Sequence, residues 1–359
     1  MLSDEEYLRE TLRLAKKGAG YVSPNPLVGA VVVKDGYPVG KGAHLRAGGP
    51  HAEVNALNEA GDKSRGATLY VNLEPCCHYG KTPPCVDLII KRGIKRVVCA
   101  MEDPNPLVSG KGFSRLRQAG IEVDVGKLER EARRINETYL KYITTGLPFV
   151  TLKWAQTLDG KIATCRGDSR WISSEASRRY VHQLRSQTDA VLVGVETVIK
   201  DDPLLSVRLI KGRSPLKIVL DSRLRLPPQA KVLQGEKLIV ATVQRANRQR
   251  LDWLRGCGVE VWELPSTPDG WVDIEAVARE AGRHQITSIL IEGGAHVAAS
   301  ALKAKIVDRV IVFIAPRILG DGLSAVKGLR VDLISASLPL RDTQIERRGE
   351  DIVYSGYLV

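Results

Sequence analysis

Between residues 27 and 45 the chain reads "LVGAVVVKDGYPVGKGAHL", two apolar runs joined by Asp35-Gly36, and this pattern predicts a β-hairpin. A helical period precedes it over roughly 4–17, and another follows over about 52–60. The strand "ATLYVNLE" comes next, then a helix that starts after Pro83-Pro84 and ends near Gly93. "IKRVVCAME" reads as a strand, 111–119 as a helix, and "IEVDVG" as a further strand. Strands alternating with helices predict a three-layer α/β sandwich. A single helix over 128–143 and the segment "TTGLP" close this half, so a first domain is expected over 1–146.

A second domain, 147–359, starts afresh with the strand "PFVTLKWAQTLDG". Strands follow at "AVLVGV", "LKIVLDS", "KLIVATV", "VEVWELP", "SILIEGG" and "RVIVFIAPRIL", and the last segment is "DIVYSGYLV". Helical stretches lie between them, among them "SSEASRRYVHQLRSQ" with Ser173 or Ser174 as its N-cap. This is a second α/β domain built on a long sheet. The pentapeptide Pro-Asn-Pro-Leu-Val occurs at 24–28 and at 104–108, but the flanking segments do not match, and rigid proline-flanked loops account for it.

No stretch approaches 18 uninterrupted apolar residues, and the N-terminus lacks an apolar leader region, so neither a membrane partner nor secretion is expected. A cytoplasmic setting follows, where clustered cysteines bind metal or react more often than they pair. The net charge of +12 is spread along both halves without a basic tail. Such a field suits a phosphorylated small molecule as well as a polyanion.

The chemistry concentrates in "HAEVNAL" and "LEPCCHYGKTPPC". His51, Cys76 and Cys85 make a three-ligand set, and zinc held by three protein groups keeps a position for water, whose pKa falls to about 7. Glu53 would shuttle the proton, although it meets His51 only if the helix start is irregular. Cys85 sits where a helix begins, which favours its thiolate. His44, Cys77 and His78 offer the alternative of a closed four-ligand knot. His-x-Glu upstream of Pro-Cys is the signature of zinc nucleobase deaminases, here with eight residues between the two cysteines in place of the usual two. Cys99, Cys165 and Cys257 read as small core or near-core residues.

In the second half no G-x-G-x-x-G occurs. A strand ending in Glu292-Gly293-Gly294 runs into a helix, where free N–H groups suit a phosphate and an ordinary tight turn is the alternative. Arg185 and Arg208 suit bidentate phosphate contacts, or are plain surface charges. Lys153, polar within an apolar strand, is read as reaching a ligand.

With "NPLVGAVVV", "GAHLRAGGPHAEVNAL", "DPNPLVSGKG", "TLKWAQTLDGKIA", "GDSRWIS", "VLVGVETVIKDDPLLSVR" and "FIAPRILG", the chain resembles the bifunctional riboflavin-biosynthesis deaminase/reductase family over nearly its whole length. The resemblance implies a cytidine-deaminase-like three-layer α/β/α domain followed by a dihydrofolate-reductase-like α/β domain. It implies one zinc ion per chain on His51, Cys76 and Cys85, Glu53 as proton donor, and NADPH as reductase cofactor. Asn25, His44, His78 and Lys81 would contact the deaminase substrate. Ser169, Arg185, Leu205, Arg208 and Glu292, with Lys153, would face the reductase substrate. Ala155, Trp171, Thr197, Asp201, Ser222 and Gly294, Ala295, His296, Val297, Ala298, Ala299 and Ser300 would line the cofactor site. The partner is a small phosphorylated pyrimidine rather than a nucleic acid, and a homo-oligomer, dimer or tetramer, is expected from the resemblance. The rivals are a nucleic-acid deaminase, which predicts salt-dependent RNA retention, and a zinc-stabilised scaffold without activity.

Overall fold

The computed structural model describes residues 2–80, 83–235 and 237–358, so Lys81 lies outside the described residues. The chain divides into two compact units, Met1–Gly146 and Leu147–Val359.

In the first unit β1 (Gly29–Lys34) and β2 (Tyr37–Ala43) form the expected hairpin, with Asp35 and Gly36 both at positive φ. With β3 (Thr68–Val71), β4 (Arg96–Cys99) and β5 (Glu122–Val125) they make one sheet in the order β2-β1-β3-β4-β5, antiparallel as far as β3 and parallel beyond it. Strand alternation sends Ala30 and Val32 to one face and Val31 and Val33 to the other. On the first face pack α2 (Ala52–Ala60), α3 (Cys85–Lys91) and α4 (Lys111–Gln118). The second face is covered by α1 (Asp4–Ala15), α5 (Glu129–Ile135) and α6 (Glu137–Thr145). The single helix expected over 128–143 is therefore two helices. They break at Asn136, whose backbone (φ −107°, ψ 13°) leaves the helical region while its side chain bonds to Leu27.

Among the described residues of the second unit seven parallel strands carry the sheet: β6 (Phe149–Thr157), β8 (Ala190–Gly194), β9 (Leu216–Leu220), β10 (Leu238–Val243), β11 (Glu260–Leu264), β12 (Ser288–Glu292) and β13 (Arg309–Ala315). A hairpin of β15 (Leu340–Arg348) and β16 (Asp351–Leu358) extends it antiparallel, giving the order β11-β10-β9-β8-β12-β6-β13-β16-β15. A separate pair joins β7 (Lys161–Thr164) to β14 (Gly322–Ser324). The helices are α7 (Glu175–Gln187), α8 (Val195–Asp201), α9 (Arg248–Gly256), α10 (Ile274–Arg283) and α11 (Ala295–Lys303). Ser174, not Ser173, caps α7 by accepting from the Ser177 N–H.

Two cysteines expected in or near the core lie at the surface. Cys99 is buried, but Cys165 and Cys257 are exposed, because the first follows β7 in a turn and the second caps the C-terminus of α9. Among the described residues no helix is long and apolar enough to cross a membrane.

Candidate active sites

Glycine at position 42 in β2 lets α2 start against the strand. A Cβ there would stand 2.0 Å from the Ala52 carbonyl oxygen, so any side chain would push the helix away. His51 is the N-cap of that helix, in extended conformation (φ −71°, ψ 162°), and Glu53 lies in its first turn. The irregular start that would let His51 and Glu53 converge is this cap. Cys85 opens α3, and its backbone N–H points at the Cys76 sulfur 3.3 Å away.

These elements bring the His51 Nδ1 to 3.5 Å from Cys76 Sγ and 3.3 Å from Cys85 Sγ. The three ligand atoms all lie within 4.8 Å of one another, the one such group of His, Cys, Asp or Glu among the described residues. A tetrahedral zinc ion with bonds of about 2.1–2.3 Å separates its ligand atoms by about 3.6 Å. The donor set fits that ion in type and spacing. Cys85 and then His51 bring the Cys76 pKa down to about 4, while the bond to Cys76 and burial push that of Cys85 up, so the place at the helix start does not by itself favour the Cys85 thiolate, contrary to expectation. Burial pushes the Glu53 carboxyl up, with the Cys76 charge adding to it, and Cys85 is its hydrogen-bond neighbour. A raised carboxyl pKa suits a group that carries a proton between reactants.

The four-ligand knot is not formed. His44 gives its Nδ1–H to Pro50 O at 3.0 Å, and its Nε2 faces the Asn25 Nδ2 at 3.1 Å. The His44 ring packs edge-on against His51 at 5.3 Å, so Asn25 and His44 form one wall beside the ligands. Cys77 points away, its thiol toward Leu107 O at 3.7 Å, and the His78 Nδ1 is buried without a hydrogen-bond partner among the described residues.

In the second unit the register sets Lys153 of β6 beside Glu292 of β12. Lys153 Nζ is 3.9 Å from Glu292 Oε2 and lies over the Phe313 ring at 5.3 Å. Arg185 of α7 holds the same carboxylate in a fork, Nε–Oε1 2.6 Å and Nη2–Oε2 3.0 Å. Burial lowers the Lys153 pKa against the pull of Glu292, and the two cations keep Glu292 ionised despite its burial. Arg185 also donates to Ser206 O at 3.1 Å, pinning the loop that carries Leu205 and Arg208. Leu205 is 2% exposed within an apolar cluster, so its side chain is core and only its backbone is left to meet a substrate.

On the same sheet Gly293 and Gly294, both at positive φ, turn β12 into α11. Thr197 Oγ1 lies 3.6 Å from where a Cβ of either glycine would be. The Ala298 N–H already bonds to Gly294 O, so by helix geometry the N–H groups of Ala295, His296 and Val297 remain for an anion. Ala298 and Ala299 are buried toward the core and present no side chain there. Ser222, just beyond β9, accepts the Val272 N–H at 2.8 Å. Trp171 is exposed under the Arg178 guanidinium, while the Asp201 carbonyl accepts from Arg170. Ala155 packs beside Phe313, and Ser169 is half-buried in the loop after β7. The open glycine turn and helix end fit a dinucleotide pyrophosphate.

Sequence reasoning passed over three side chains. His182, one helical turn before Arg185, accepts the Arg208 backbone N–H on Nδ1 at 3.1 Å. Glu74 accepts from the N–H groups of Asp103, Gly110 and Phe113. Asn136 clamps Leu27. The spacing of His182 from Arg185 was a usable signal; for Glu74 and Asn136 the partners are remote in sequence.

Residues 1–101 match the family described as the cytidine and deoxycytidylate deaminase zinc-binding region, and residues 148–354 match the RibD C-terminal domain. The chain is 50% identical to the riboflavin biosynthesis protein RibD of Aquifex aeolicus, over 98% of this chain and 97% of that one. It is 42% identical to RibD of Escherichia coli, over 98% of each. Among solved structures it is similar to a diaminohydroxyphosphoribosylaminopyrimidine deaminase/5-amino-6-(5-phosphoribosylamino)uracil reductase from Thermotoga maritima, with TM-score 0.89, 40% identity and 99% of both chains covered. Acinetobacter baumannii RibD matches with TM-score 0.90 and 37% identity over 99% of both chains.

Proposed function

The chain belongs to the RibD family, bifunctional enzymes of riboflavin biosynthesis that join a zinc-binding deaminase to an NADPH-dependent reductase, and from that premise we propose how its residues divide the two reactions. Residues 1–146 carry the deamination of the diaminopyrimidinone ribosyl phosphate, and residues 147–359 the reduction of the ribosyl group of the aminouracil product to ribityl.

The observation that carries the deaminase reading is the convergence of His51, Cys76 and Cys85 beside the buried Glu53. Zinc on those three groups supplies the acidity that brings a water toward a pKa of about 7. Glu53 takes a proton from the attacking water on its carboxylate oxygen and returns one to the departing ammonia. Asn25 and His44 hold the pyrimidine edge, with His44 kept neutral by burial. His78 and Lys81 complete the substrate contacts.

In the reductase, NADPH supplies the hydride to C1 of the opened ribose. The glycine turn and the first N–H groups of α11 hold the pyrophosphate, with Ala155, Trp171, Thr197, Asp201 and Ser222 along the cofactor. Glu292, oriented by Arg185, accepts a ribose hydroxyl, and the Lys153 ammonium gives the proton to the ring oxygen as the sugar opens. Arg208, with Ser169 and the Leu205 backbone, meets the substrate phosphate end.

We further propose a cytoplasmic homo-oligomer, dimer or tetramer. The thiol ligands need a reducing setting, and Leu333, Ile334 and Ile345 expose apolar surface at 68%, 91% and 70%. Light scattering on the purified chain reads the assembly directly. The functional division is tested with Glu53→Gln, which should abolish ammonia release while zinc content and NADPH oxidation on the deaminated intermediate stay at wild-type levels. Retained ammonia release would contradict it.

A further inference from the structure

The repeated pentapeptide at 24–28 and 104–108 is the same sequence folded to two different ends. In the second copy Asn105 serves its own loop: Oδ1 accepts the Leu107 N–H at 3.0 Å, a closed Asx turn. In the first copy the equivalent donor, the Leu27 N–H, goes instead to Asn136 Oδ1 at 2.8 Å. Asn136 also donates Nδ2 to Leu27 O at 3.1 Å, so one buried amide satisfies both polar groups of that residue's backbone as a neighbouring strand would. Asn72 braces the same stretch, donating to Leu27 O at 2.9 Å and accepting the Gly29 N–H at 2.7 Å.

The consequence falls on Asn25. With Leu27 already bonded elsewhere, its side chain is not drawn into an Asx turn and reaches out to His44 Nε2 at 3.1 Å. His44 Nδ1–H is committed to Pro50 O, which leaves Nε2 as acceptor and fixes the Asn25 amide with its NH2 toward the histidine. Asn25 Oδ1 has no partner among the described residues and is left as a free acceptor beside His44, suited to an N–H donor on a pyrimidine edge. The break between α5 and α6 places Asn136 where it can do this.

We propose that Asn136 is a positioning residue of the deaminase site, which by holding the Leu27 backbone releases the Asn25 amide to His44 and to the substrate. This rests on the reading of Asn25 as a substrate contact. Without Asn136 the Leu27 N–H is free to take Asn25 Oδ1, in the turn that Asn105 displays, and the site loses its free acceptor.

The test is a double-mutant cycle in the full, zinc-loaded chain with Asn25→Ala, Asn136→Ala and the two combined, read as KM and kcat for ammonia release. Zinc content and NADPH oxidation on the deaminated intermediate report that both units are folded. Asn136→Ala should raise the deaminase KM about tenfold, the worth of one hydrogen bond, with both folding measures unchanged. Combined with Asn25→Ala it should add nothing further. Asn136→Asp, which still accepts the Leu27 N–H, should return KM to within about threefold of wild type. Should Asn136→Ala lose zinc or reductase activity, the same cycle with Asn136→Ser, polar but too short to reach Leu27, decides. Multiplying effects, or a silent Asn136 beside a damaging Asn25, would overturn the positioning role alone. An Asn25→Ala variant with wild-type KM would remove the substrate reading beneath it.

Discussion

Replacing Glu74 with Ala should loosen the support of the zinc loop. Its carboxylate is 3% exposed and accepts three backbone N–H groups, from Gly110 at 3.0 Å, Phe113 at 3.2 Å and Asp103 at 3.3 Å. These tie the 103–113 segment to the loop after β3, two residues before Cys76. Gly112 packs against the same loop, where a Cβ would stand 2.4 Å from Pro75 O. Burial pushes the Glu74 carboxyl pKa up despite these three bonds, so the loss on truncation comes from the N–H groups left without an acceptor, about 1–3 kcal/mol each. Removing the carboxylate's own burial cost offsets part of it, and about 3 kcal/mol is lost in all. For a unit of this size that lowers the melting temperature by about 10 °C. Calorimetry of the full chain, following the transition of the first unit, reads the shift. Amide exchange should accelerate across 103–113 in the same variant. Glu74→Gln keeps one oxygen for two of the donors and turns an NH2 toward the third, so it should lose about half as much. A Glu74→Ala melting temperature within about 1 °C of wild type, or a Gln variant worse than Ala, would refute this account of the loop.

Cys77→Ser should leave zinc content and deaminase activity within about twofold of wild type, since the thiol contributes one weak bond outside the ligand group; metal analysis with an ammonia assay checks it. His182 gives a pH signature. Burial, then Arg185 and Arg208, push its pKa down to about 4 from 6.5, so over that window the unfolded chain binds the extra proton and stability falls as pH falls. Above 6.5 the effect is absent. Urea unfolding of His182→Gln between about pH 4 and 6.5 should therefore show a shallower pH dependence than wild type, and equal slopes would contradict it.

Much of the first unit was legible because local chemistry and tertiary demand agree there. Asp35-Gly36 specifies its turn, and α2 starts after His51 and ends before Gly61. The break at Asn136 was not legible: nothing in "REARRINETYLKY" opposes a continuous helix, and the cause is a bond to Leu27, remote in sequence. β15, "LRDTQIERR", lacks apolar alternation because it is exposed along almost its whole length, so its pairing to β16 leaves no pattern to read. The ligand triad could be named from residue types, whereas Lys153, Arg185 and Glu292 came together only through strand register and one face of α7.

The most direct measurement follows ammonia and NADPH absorbance together while the zinc-loaded chain acts on the diaminopyrimidinone ribosyl phosphate. The account predicts one ammonia released per NADPH oxidised, with ammonia appearing first. Ammonia release with no NADPH consumed would contradict the reductase half, and NADPH oxidation without prior ammonia would contradict the order of the two sites.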